Sequence, residues 1–187
     1  MLKPRSKLSS AKRRLVVDVL APRSVRGRIR LGNHSFPCAL GRSALTTLKR
    51  EGDGGTPRGT FRLLRVLYRH DRIARPRTAL PVEPIHPDDG WCDAPDDRNY
   101  NRPVRLPYPA SAETLFRTDR VYDIVVCLDH NVTPRIRRAG SAIFFHLARP
   151  GYPPTEGCIA VSEPHMRRIL AAAEPGATMI VGRRLSI

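Results

Sequence analysis

The segment Arg26-Gly27-Arg28-Ile29-Arg30-Leu31 alternates a long cation with a small or apolar residue at every step. A period of two sends successive side chains to opposite faces of an extended chain, so this is a strand with one wet face and one dry face. It has company. Val16, Val17 and Val19 give residues 14–20 a strand preference, and Gly32-Asn33 turns the chain toward a third strand over 36–40. The opening therefore predicts an antiparallel meander. Short β-prone runs recur at 61–68, 121–128, 142–147 and 177–181. One stretch keeps helical spacing: Met166, Ile169, Leu170 and Ala173 fall at i, i+3, i+4 and i+7 after Ser162 as N-cap, with Gly176 as the stop. The expected fold class is mainly β with one or two short helices, an α+β chain.

Two segments break the pattern. Residues 49–59 hold four glycines and one proline, which marks a loop with specific backbone demands. Residues 71–120 hold eight of the eighteen prolines together with Trp91, Cys92, Tyr100 and Tyr108, which argues against regular elements and for a long structured excursion. Loops of that length are commonly functional. Trp91, Asp93, Tyr100 and Asn101 are accordingly candidates to line a cleft, the alternative being a small core that pins the loop. At 187 residues and 41% apolar content, the chain suits one domain over 14–187, preceded by a basic tail at 1–13 and carrying the proline-rich insertion at about 71–120.

The formal charge is +16, which draws in an anion: a nucleic acid, an anionic surface, or a substrate rich in carboxylates. The arginines are scattered, aromatic content is 6%, and no zinc-finger or RNP-type motif is present, so nucleic-acid binding is the weaker reading. Cys38, Cys92, Cys127 and Cys158 form no Cys-x-x-Cys pair, which argues against structural zinc and for free thiols. His34, His70, His86, His130 and His165 have no metal-ligand spacing, and no metal or cofactor is expected. The apolar run after the basic N-terminal residues is six long and contains Asp18, too short and polar for a secretory signal, and nothing approaches a membrane span. On these grounds a cytoplasmic location is expected.

The stretch that carries chemistry is 140–161. A strand delivers His146, a Pro/Gly-rich loop returns, and Cys158 follows Gly157 just before the next element. A free thiol is mostly protonated at neutral pH, and an imidazole in contact can take its proton. A glycine before it allows a tight turn in which the amides of Gly157 and Cys158 face a developing oxyanion. The competing reading is a buried structural cysteine beside a core histidine. Cys38 and Cys127, inside apolar strands, read as core.

Three segments together resemble the L,D-transpeptidase catalytic domain, or YkuD-like, family over roughly 14–182: Thr56-Pro57-Arg58-Gly59-Thr60-Phe61, Ile143-Phe144-Phe145-His146, and Thr155-Glu156-Gly157-Cys158. The resemblance implies a β-sandwich or barrel with a Cys/His cleft at one end, Cys158 as nucleophile, His146 as general base and acid, and Gly157 as an oxyanion-hole amide. It also implies a bacterial peptidoglycan substrate, a tetrapeptide stem ending in D-alanine, and hence a wall or periplasmic site of action for a transpeptidase. Thr155, Glu156, Arg149, Trp91, Tyr100 and Asn101 are the candidate substrate-binding residues. Many family members have histidine where this chain has Glu156 and Arg or Asn where it has Ala160, and the twelve-residue interval from His146 to Cys158 is shorter than usual. The leading expectation is a transpeptidase whose thioester is resolved by a second stem. The alternative is an L,D-carboxypeptidase that uses water, favoured by the lack of a recognisable signal. A non-catalytic basic module for nucleic acid or glycan is the distant rival.

Overall fold

The computed structural model describes residues 14–19 and 21–184, so the expected basic tail at 1–13 lies outside the described residues. The meander predicted at the start is present: β1 (Arg14–Val19), β2 (Arg26–Leu31) and β3 (His34–Ala39) pair antiparallel in sequence. In β2 the three arginines are exposed while Gly27, Ile29 and Leu31 are buried, as a period of two requires.

The remaining strands of the main sheet are β6 (Gly59–Tyr68), β7 (Val82–Pro84), β11 (Ile124–Leu128), β12 (Phe144–Leu147), β13 (Ile159–Val161) and β14 (Thr178–Arg184). Their order is β11-β12-β13-β3-β2-β1-β14-β6, and β6 pairs back onto β11, which closes the sheet into a barrel. β7 adds beside β6. Closure removes the open edges that an eight-strand ribbon would expose. β6 makes closure possible through its length: its first half pairs with β14 and its second half with β11.

Inside the ring, Val17, Ile29, Val66, Ile124, Val126, Phe145, Ile159 and Met179 form one core with Met166, Ile169 and Leu170 of helix α1 (Glu163–Ala172). The predicted helical face is thus the buried one, and burying each such side chain contributes about 1.5–3 kcal/mol. The helix differs from expectation at both ends. Ser162 precedes it but makes no side-chain capping bond, and it ends at Ala172, not at Gly176. Pro175 explains the early end, because its ring disfavours a helical conformation at Glu174.

The proline-rich insertion is a correction to the expectation of an irregular excursion. It contains β8 (Asp89–Cys92), β9 (Arg102–Arg105) and β10 (Ala112–Thr114), which form a three-stranded sheet in the order β10-β8-β9. Pro103 sits on β9, an edge strand, where a missing amide donor costs least. Ile85, Trp91 and Leu115 of this region, with Val121 and Tyr122 just after it, pack on the outward-facing residues Leu67, Val125, Cys127 and Phe144 of the barrel. Arg69, buried, bonds the Arg117 carbonyl and Asp71 and lies 3.5 Å from the Phe116 ring centroid, tying the insertion to the end of β6. The apolar barrel wall therefore has two dry faces, and the second core lies outside the ring. Among the described residues no helix is long and apolar enough to cross a membrane.

Candidate functional site

β12 and β13 lie side by side and parallel, with His146 opposite Ala160. Phe145, Leu147, Ile159 and Val161 point into the barrel, whereas Phe144 and Cys158 belong to the outer core. Alternation places His146 on that outer face with them. His146 on β12 and Cys158 immediately before β13 thus lie under the insertion, 7% and 8% exposed.

The imidazole is fixed from two sides. Its Nδ1 lies 2.9 Å from the Leu147 carbonyl oxygen, and the Tyr122 ring meets it edge-on at 5.3 Å between centroids. A carbonyl oxygen only accepts, so Nδ1 carries the hydrogen and Nε2 carries the lone pair. The Cys158 thiol donates to the Ala142 carbonyl at 3.2 Å and accepts from the Phe144 amide at 3.3 Å. Burial pushes the thiol up to about 12, reinforced by the Glu113 carboxylate and opposed by the Phe144 amide and by Lys49. Burial pushes His146 down to about 4, against the Leu147 carbonyl, with Arg117 and Arg149 adding to the fall. Both groups are neutral at rest.

The loop before Cys158 is held from below. The Thr155 amide donates to the Leu40 carbonyl at 2.9 Å, and the Arg42 amide donates to the Thr155 carbonyl at 2.8 Å. The Thr155 hydroxyl donates to the Cys158 carbonyl at 2.6 Å and accepts from the Gly157 amide at 3.2 Å. Its hydrogen bonds thus lie within the loop. Two short strands, β4 (Leu45–Thr46) and β5 (Thr56–Pro57), stand beneath, and the buried Thr56 hydroxyl accepts from the Gly41 amide at 2.7 Å. The Thr-Pro-Arg-Gly element is a prop for the cysteine loop. Gly157 has φ +131°, and an added Cβ there would lie 2.9 Å from the Gly55 carbonyl oxygen.

The other sequence candidates are distributed unevenly. Trp91 packs edge-on against Phe144 at 5.1 Å and donates to the Asn101 side-chain oxygen at 2.9 Å. Asn101 also accepts from the Ala142 amide and donates to the carbonyls of His130 and Asn131. Tyr100 is buried and bonds Glu51, as does Ser141. These three residues pin the insertion to the lead-in of β12. Asp93 has a buried side-chain oxygen with no hydrogen-bond partner. Glu156 is exposed and paired with Arg42 at 2.7 Å, and Arg149 is exposed and paired with Asp119 at 2.9 Å. Cys38, Cys92 and Cys127 are all buried free thiols. Among the described residues no group of three or more His, Cys, Asp or Glu is arranged to hold a metal.

Sequence reasoning missed Tyr122, which braces His146, and its partner Glu113, whose carboxylate accepts from the Tyr122 hydroxyl at 2.5 Å. It also missed Lys49 and Glu51, which lie within the glycine-rich loop and show no periodicity that marks them as buried.

The model of the YkuD family, described as the L,D-transpeptidase catalytic domain, matches residues 12–181. No curated protein and no solved structure matches the chain significantly.

Proposed function

Since the chain belongs to the L,D-transpeptidase catalytic-domain family, we propose that it cleaves the terminal D-alanine from a peptidoglycan tetrapeptide stem through a thioester on Cys158 and transfers the acyl group to a second stem. The observation that supports this reading is that His146, on β12, and Cys158, just ahead of the adjacent β13, lie on the same outer side of the barrel with Tyr122 near both, and Nδ1 of the imidazole is already engaged by Leu147. That leaves Nε2 as the only nitrogen able to accept a proton.

In the proposed cycle the Cys158 sulfur attacks the stem carbonyl while His146 Nε2 takes the thiol proton. The amides of Gly157 and Cys158 receive the oxyanion. The weak 3.2 Å bond from Gly157 to Thr155 is the contact that the oxyanion replaces. Collapse breaks the bond to D-alanine, and the imidazolium returns its proton to the departing amine. An amine of a second stem then attacks the thioester, His146 again shuttling the proton, and Cys158 is released as a thiol. Glu156 and Arg149, exposed on either side of the buried pair, are the proposed contacts to the stem's charged groups. A net charge of +16 favours approach to a carboxylate-rich polymer.

The test is incubation with purified disaccharide-tetrapeptide followed by mass spectrometry. Cross-linked dimer accompanied by loss of D-alanine is expected, and none of either with Cys158→Ala. Loss of D-alanine without dimer replaces the transpeptidase reading with an L,D-carboxypeptidase. Full activity in Cys158→Ala refutes both.

A further inference from the structure

Lys49 reaches the buried side of the cysteine loop, and its side chain is only 6% exposed. Burying an ammonium is costly unless its charge is matched. Asp53 forms a close ion pair with it, and the Arg50 carbonyl accepts a second hydrogen bond at 3.1 Å. The route of the side chain is set by two glycines from separate loops, both with positive φ. A Cβ at Gly140 would lie 2.8 Å from Lys49 Cγ and 3.0 Å from Cε, and a Cβ at Gly157 would lie 3.4 Å from Nζ. The stem thus passes through a gap that only glycine leaves at 140, and the ammonium comes to rest behind the residue that precedes Cys158.

We propose that Lys49 is an electrostatic partner of Cys158, its fixed ammonium stabilising the negative charge that gathers on the sulfur and then on the carbonyl oxygen during attack. This rests on the assignment of Cys158 as the nucleophile. Lys49 keeps its proton throughout, and the thiol proton still goes to His146. The other charges and titratable groups around the two residues include Glu113, Tyr122 and His146 on the outer face, Glu156 on the loop itself with its partner Arg42, and Asp53, Glu51 and His130 around the lysine. Glu113 and Glu156 oppose negative charge on the sulfur, whereas Lys49 favours it. Asp53 offsets part of the lysine's charge, so the cation is moderated rather than bare.

The experiment follows alkylation of the full chain by iodoacetamide against pH, with peptide mapping to read modification at Cys158 separately from the three other thiols. Lys49→Met is expected to slow Cys158 alkylation at pH 8 by about tenfold and to move its pH midpoint upward, while Lys49→Arg restores most of the rate. Asp53→Asn unmasks the lysine and is expected to speed alkylation. A purely structural ion pair predicts loss in both Lys49→Met and Asp53→Asn, so equal slowing by the two variants overturns the proposal, as does a wild-type profile in Lys49→Met. The readout needs no peptide substrate. Failure of the chain to act on tetrapeptide would sink the transpeptidase reading while leaving this result standing.

Discussion

Replacing Gly157 by alanine tests how the cysteine loop is built. The backbone there has φ +131°, a conformation that L side chains rarely adopt, and the new Cβ would meet the Gly55 carbonyl oxygen at 2.9 Å and Ile143 Cδ1 at 3.2 Å. The first neighbour is backbone and cannot rotate away. It is held in place because the Gly55 amide donates to Asp53 and the Thr56 amide donates to the Ala44 carbonyl. Ile143 is buried in the barrel core and has little room to move. Backbone strain of about 1–3 kcal/mol adds to overpacking of about 1–3 kcal/mol, so a loss of roughly 2–6 kcal/mol is expected. For a domain of this size, at about 2–4 °C per kcal/mol, that lowers the thermal midpoint by about 4–24 °C.

Gly151→Ala is the matched control. Its φ is +79°, but no atom lies within 4 Å of the added Cβ, so only the left-handed backbone cost of about 1 kcal/mol applies. Thermal unfolding of both variants, with turnover on tetrapeptide, separates the two effects. Gly157→Ala is also expected to lose about a hundredfold in turnover, since displacement of the loop by a fraction of an ångström misplaces both the sulfur and the amides. A Gly157→Ala protein that melts with Gly151→Ala and turns over normally would refute the close approach of the two loops.

Three further outcomes follow from buried polar groups. His146 is held down at about 4 against an ordinary 6.5, so the unfolded chain takes its proton first as pH falls, and stability drops from about pH 6.5 through pH 4 by up to about 3 kcal/mol. Urea midpoints at pH 7 and 4.5 should diverge in wild type and converge in His146→Gln. On the alkaline side Cys158 is raised to about 12, so its contribution is lost as pH climbs above about 9, and Cys158→Ala should flatten that limb. Glu51→Ala orphans the Tyr100 and Ser141 hydroxyls, both on buried residues, and is expected to cost about 2–4 kcal/mol by denaturant unfolding. A Glu51→Ala midpoint equal to wild type would mean that these hydroxyls are not bonded to it.

Local patterns in the sequence carried the meander, the helix face and the Cys/His segment, because each depends on residues close together in the chain. What sequence could not supply were partners. A period of two says which face of β6 is dry but not that its second half pairs with β11, whose residues lie about sixty positions on. The insertion misled for a different reason. Its prolines argue against strands only if the strand is central, and β9 is an edge. The support of the site was hidden as well: Lys49 and Glu51 stand in a glycine-rich loop without periodicity, and only the approach of loops 140–142 and 155–158 buries the Lys49 side chain and gives Glu51 its Ser141 partner. Tyr100 and Asn101, weighed as cleft lining or as pins, occupy a buried hydrogen-bond network, and their relation to substrate stays with the proposal.

The two dry faces of the barrel wall connect these points. Alternation gives Phe145, Leu147, Ile159 and Val161 to the inner core, which fixes β12 and β13 rigidly, and by the same register gives Cys158 and His146 to the outer one. A pair mounted that way cannot turn to the other face without breaking the barrel, so its placement on the outer face is fixed in the folded state. Burial moves the two groups in opposite directions, the thiol up and the imidazole down, and leaves a resting thiolate–imidazolium pair far uphill. In the proposed reaction charge then appears during attack itself, and anything that stabilises it has to be in place beforehand. The Phe144 amide already touches the sulfur, and the loop amides and the ammonium behind Gly157 are fixed by the prop under the loop. Under the proposed mechanism the Thr-Pro-Arg-Gly element, remote from the chemistry in sequence, therefore bears on rate through the position of those donors.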